Sequence, residues 1–196
     1  MEVDKAPGAA APSLREYLRQ VTHARHVLLD GEFGALDLGA RPAFTRFLAA
    51  HWLGISALQE PFARFARDEL GRPAPDLAGM VHADLDELDA PLPPPMAMAA
   101  DLLRYPAAVA YVLCGSRLGL AHLRQQGYWG AEHAIGQRYM EDREAQALWK
   151  PLVAWLGARP ATAPDAPVAG ETALACFDHF LRAFAASRPG TEEAAA

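Results

Sequence analysis

One stretch limits what this chain can become. Pro106 to Gln126, PAAVAYVLCGSRLGLAHLRQQ, is apolar and nearly uncharged at its centre, yet it carries Gly115 and Gly119 four residues apart in its middle. Glycine inside a helix costs roughly 0.5–1 kcal/mol relative to alanine. At about 100° per residue, two glycines at this spacing clear one strip of a helix of every β-carbon. Either another helix packs closely there, or something flat lies against the bare main chain.

The rest of the chain reads as helices. Ser13 and Glu16 form a capping box ahead of an apolar rhythm, which predicts a first helix from Leu14 to about Leu29. Leu14, Tyr17, Leu18, Val21, Arg25 and Leu28 share one face; His23 falls opposite, and His26 lies on the shoulder beside Thr22 and Leu29. Asp30-Gly31 is the expected stop. A glycine-rich loop, 31–40, leads to a second helix from Arg41 to about Gln59, which Pro61 kinks or restarts towards Gly71.

Asp76 is positioned to cap a third helix with Leu77, Met80, Val81, Leu85 and Leu88 inward. Ala90 to Pro95 is an extended proline-rich connection, and 96–105 a short helix or loop. Pro106 suits the first turn of the glycine-bearing helix, which Gly127 ends. A short helix follows over 130–139, then one over 141–156 bent at Pro151, then a loop over 159–168. A last helix opens at Gly170-Glu171, with Leu174, Phe177, Phe180, Leu181 and Phe184 as its stripe. No segment alternates as a strand does. The expectation is an all-α single domain of six to eight helices over 13–187, with a flexible tail at 1–12 and a disordered one at 188–196.

Composition narrows the function classes. At 196 residues the chain is one domain, long enough to bury a core without staples. Its net charge of −6 and lack of any Lys/Arg cluster exclude nucleic-acid backbone binding. No run of about 18 uncharged apolar residues exists, so no membrane span is expected. There is no basic-then-apolar leader, and Cys114 and Cys176 are too few for a disulfide framework, which together suggest a reducing, cytoplasmic setting.

No H-E-x-x-H, C-x-x-C, P-loop or G-x-S-x-G occurs, so zinc, redox, nucleotide and hydrolase readings lack support. His51, His82, His122, His133 and His179 stand without a second ligand-type residue at metal spacing and read as core or surface residues. The Phe177, Phe180, Phe184 stripe reads as core. A helical histidine such as His26, taken alone, reads as a core residue too.

Two motifs change that reading of His26. Tyr111-Val112-Leu113-Cys114-Gly115-Ser116-Arg117-Leu118-Gly119 resembles the distal helix of bacterial haem (heme) oxygenases, whose pattern is Tyr-Val, two variable residues, then Gly-Ser-x-Leu-Gly-Gly. Leu120 stands where the pattern has its last glycine. Leu14-Arg15 through Thr22, His26 and Leu29-Asp30 resembles the N-terminal signature of the same family, L-R-x-x-T-x-x-x-H-x-x-L-[DE]. The two motifs lie about 85 residues apart, as they do in the family. A looser likeness extends to Cys176-Phe177-Asp178-x-Phe180 in the last helix.

The resemblance implies a haem oxygenase that opens haem to biliverdin, releasing CO and iron. Haem would be both substrate and cofactor, with O₂ and electrons from a separate reductase or ferredoxin, since no flavin or nicotinamide motif is present. It implies His26 as the proximal metal ligand with Thr22 beside it, and Gly115, Ser116 and Gly119 as the catalytic distal wall, Ser116 ordering water at the open axial side. Arg138 lies where the family's propionate-binding helix would fall; Arg143, Arg15, Arg19 and Arg25 are the other cations within reach. The functional context would be iron release or bilin supply to a phytochrome photoreceptor. Two other readings stand beside this one. One is a haem- or bilin-binding protein on the same fold that does not turn over. The other is a helical partner-binding scaffold whose glycines only allow close packing.

Overall fold

The computed structural model describes residues 11–188. Most of both expected tails, residues 1–10 and 189–196, falls outside the described part. Apart from one isolated bridge between Ser13 and Pro160, the regular elements described are all helical. They are α1 (Leu14–Gly34), α2 (Arg41–Ile55), α3 (Gln59–Leu70), α4 (Leu77–Glu87), a 3₁₀ turn (Ala100–Leu103), α5 (Pro106–Gln126), α6 (Trp129–His133), α7 (Arg138–Glu141), α8 (Glu144–Gly157) and α9 (Ala166–Ala186).

Nine α-helices are described where six to eight were expected, because two expected helices divide. Pro61 sits in the first turn of a separate α3 rather than at a kink. The segment 130–139 breaks between α6 and α7, where Ala134 and Gly136 take left-handed φ values of 56° and 67°. Two ends also move. α1 continues past Asp30-Gly31 to Gly34, because Phe33 buries itself against Phe47, His51 and Phe184 at ring separations of 5.7, 4.7 and 4.8 Å. Burying a phenylalanine is worth about 1.5–3 kcal/mol, more than the cost of a helical glycine. α9 starts at Ala166, since Pro167 takes a first-turn position instead of ending a loop. α8 runs through Pro151 without stopping.

The capping box forms as expected. Ser13 N donates to Glu16 Oε2 at 2.7 Å, and Glu16 N donates to Ser13 Oγ at 3.3 Å. The same end of α1 is fastened to the α8–α9 loop, where Leu14 N donates to Arg159 O at 2.7 Å and Ala161 N to Pro12 O at 2.8 Å. α1 then packs chiefly along α9, which also carries α2 and α5. Gly54 lets α2 and α9 close together, for the ring of Phe180 lies where any side chain at that position would be.

α5 is the centre of the bundle and packs on α3, α8 and α9. It buries Ala107 to Ala110, Val112, Leu113, Cys114, Arg117 and Leu120. Burial pushes the Cys114 and Cys176 thiols up to about 12. Arg117 is the polar exception. Its side chain is 2% exposed, donates to the Tyr139 carbonyl, lies 4.4 Å from the Tyr139 ring centroid, and pairs with the equally buried Asp142 at 3.6 Å.

His51 sits nearby among Phe33, Phe47, Tyr139 and Phe180, with Nδ1 2.8 Å from Phe47 O. Burial, and to a lesser degree the Arg117 charge, holds it down to about 3. Burial lowers His179 as well. The unfolded chain therefore takes up a proton near pH 6.5 that the folded His51 refuses until about pH 3. Stability is full above pH 6.5 and falls as pH drops through that window. Going from pH 7.5 to pH 4.5 should cost on the order of 2–3 kcal/mol from His51, read as a lower urea midpoint. A flat midpoint across that range would contradict the burial. Asp84 acts with the opposite sign, since burial raises its pKa, so protonation at lower pH offsets part of the loss.

Candidate functional site

Thr22 of α1 and Tyr111 of α5, one from each motif, lie close to one another. Thr22 is 2% exposed, and its hydroxyl donates to Leu18 O at 2.7 Å, which satisfies it in an apolar contact. Burial raises Tyr111, against the opposing influence of Thr22 and of the Arg15 and Arg19 charges.

Both helices begin at the same end of the bundle. Leu14 is bonded to Arg159, and Pro106 and Ala107 line one cleft with Arg159 and Trp155. One turn further along each helix from Thr22 and Tyr111 come His26 and Gly115. The two helices do not pack backbone to backbone; each leans on α8 and α9. Further along, both helices carry exposed positions. The His26 side chain is 53% exposed, Gly119 is exposed, and nothing lies within 4 Å of where its β-carbon would be.

His26 Nδ1 is 2.9 Å from Asp30 Oδ2, and its ring is 5.8 Å from that of Phe177. A carboxylate that takes the Nδ1 proton fixes the tautomer and leaves the Nε2 lone pair facing outward, the arrangement usual for ligating histidines. Gly115 is less open than Gly119. The Trp149 ring lies 3.6 Å from where its β-carbon would be, and the same indole is 5.9 Å from the Tyr111 ring. The half-buried Ser116 donates its hydroxyl to Leu113 O at 2.8 Å, so only its lone pairs remain for another partner. Leu120 is 4% exposed and belongs to the core, turned away from the glycine strip. The departure from the family pattern at this position falls on the packing side of α5.

Arg138 is engaged elsewhere. Its guanidinium pairs with Glu87 at 2.7 Å and Asp84 at 3.3 Å, holding α7 to α4. Arg25 pairs with Asp178 of α9 at 2.6 Å. The structure brings Thr22 close to Tyr111, sets His26 against Asp30 and Phe177, and sets Gly115 against Trp149. Leu18-Arg19, rather than Leu14-Arg15, stands at the distance before Thr22 that L-R-x-x-T requires, and Asp30, the acidic residue of the same motif, is the partner of His26 one turn away.

Among the described residues no group of three or more His, Cys, Asp or Glu side chains is placed to hold a metal ion. No helix among them is long and apolar enough to cross a membrane. No protein-family model matches this chain, and no curated protein matches it.

Proposed function

We propose that this protein binds haem between α1 and α5 and acts as a haem oxygenase, converting haem to biliverdin with release of CO and iron. What supports the reading is that Thr22 and Tyr111, one from each motif, lie close to one another, with His26 and Gly115 one turn further along their own helices. The residues present fit the group. His26 offers one accessible imidazole oriented by Asp30, Gly119 leaves main chain open, and Leu120 points away. Arg138 has its charge already matched by Asp84 and Glu87, so Arg15 and Arg19 of α1 are the cations proposed for the propionates.

Haem, when bound, supplies the iron and the macrocycle on which the oxygen chemistry occurs. In this reading His26 Nε2 would hold the haem iron, while its Nδ1–H donates to the Asp30 carboxylate. The α5 main chain from Gly115 to Gly119 forms the opposite wall, with the Trp149 indole excluding water at one end. Ser116 accepts a hydrogen bond from water at the open side. Electrons come from a separate donor, and O₂ from solution.

Haemin titration of the purified protein, followed by ascorbate or a reductase under air, tests this. A Soret band that decays as a red bilin absorbance rises is the expected result. A stable Soret band would replace the enzyme with a non-catalytic binder, and no Soret shift would leave only a helical scaffold. His26→Ala should abolish the histidine-ligated spectrum while the far-ultraviolet circular dichroism stays native, since the side chain is largely exposed. Normal haem binding and degradation by that variant would remove the ligand assignment.

A further inference from the structure

The α4–α5 connection, Ala90 to Met96 (APLPPPM), is exposed in a pattern that a simple connector does not require. Prolines at 91, 93, 94 and 95 fix their own φ near −65° and push each preceding residue into extended conformations, so the segment is held in a polyproline II path. That helix repeats every three residues. Burial follows the same period: Ala90, Pro93 and Met96 are half-buried, whereas Pro91, Leu92, Pro94 and Pro95 are exposed. One ridge therefore faces the domain, and two face solvent.

The inward ridge is fastened. Trp52 Nε1 donates to Pro93 O at 2.8 Å, Ala90 N donates to Leu85 O at 3.0 Å, and Arg41 Nη2 donates to Leu88 O at 2.8 Å. The outward ridges pair Pro91 with Pro94 and Leu92 with Pro95, and Leu92 keeps 39% of its surface exposed. Leu92 is one of few large apolar side chains so exposed among the described residues.

We propose that this segment is a docking ligand for a folded partner domain that reads polyproline II through an aromatic-lined groove. Such grooves take two ridges of the helix and leave the third free, which is the division seen here. The ordering cost is already met within the fold, because the segment is rigid before it binds. Charge specifies the partner further. Asp86 and Asp89 are exposed just ahead of the segment, while Glu87 is tied to Arg138 and to Gly136 N. The matching groove would therefore carry a basic rim.

The test uses the full chain against a panel of immobilised, purified SH3, WW and EVH1 domains, chosen to include basic-rimmed members. Saturable binding to basic-rimmed members is expected, competed by a synthetic peptide covering residues 88–97. Leu92→Ala with Pro95→Ala should weaken it at least about tenfold, while Leu118→Ala, on α5, leaves it unchanged. Unchanged melting temperatures would show that the Trp52 anchor survives. Absence of binding across the panel, or binding indifferent to Leu92 and Pro95, would overturn the proposal.

Discussion

Asp142→Ala should destabilise the protein by about 3–5 kcal/mol, measured as a fall in the free energy of urea unfolding. Asp142 and Arg117 form an ion pair with side-chain exposures of 1% and 2%. Removing the carboxylate strands a cation that water cannot reach. The lost partner is also a cap, since Asp142 accepts from Glu144 N at 3.1 Å and Ala145 N at 3.3 Å at the start of α8. The Tyr139 ring and carbonyl would remain on the guanidinium, but neither carries a negative charge to replace the one removed. Replacing both partners together, as Arg117→Met with Asp142→Leu, should recover most of the loss, because the cost lies in the unpaired charge rather than in the missing attraction. A single variant within 1 kcal/mol of the parent would mean that the pair is hydrated in solution.

Gly119→Leu should move stability and binding in opposite directions. Gly119 is exposed and nothing lies within 4 Å of the β-carbon position, so an added β-carbon meets no steric cost, and helix propensity favours leucine by up to about 1 kcal/mol. The melting temperature should rise slightly. Haemin affinity should drop by roughly 10–100-fold, the equivalent of about 1–3 kcal/mol of overlap with a flat ligand. Undiminished haemin binding would place any haem elsewhere. A glycine serving only helix packing would have a neighbour to collide with, and the contrast is visible at Gly54, against the Phe180 ring.

The long helices were legible where local chemistry and burial agree. Pro106 at the first turn and Gly127 with φ 89° just beyond the end bracket α5 at the expected residues. The Ser13–Glu16 box did the same for the start of α1. The end of α1 was misjudged because Asp30-Gly31 is a local stop signal, whereas Phe33 finds partners on α2 and α9 that no nearby sequence announces. Arg117 was illegible for the same reason: an arginine in an apolar run shows nothing of Tyr139 and Asp142, more than twenty residues on. At the site, the Thr22–His26 spacing was readable because a helix converts it directly into one edge. The direction of Leu120 and the engagement of Arg138 with α4 depend on which neighbours surround each helix, and periodicity does not contain that.

The pairing of α1 with α9 has a consequence for how the chain is made. Arg25 and Asp178, which join them, are separated by 153 residues. On a ribosome adding about 5–20 residues per second, the opening helix waits roughly 8–30 s before its partner is even synthesised. Through that interval its apolar side has no lasting cover, and premature association or a chaperone's grip becomes the competing fate. Completion of the bundle thus waits on the emergence of α9 from the exit tunnel.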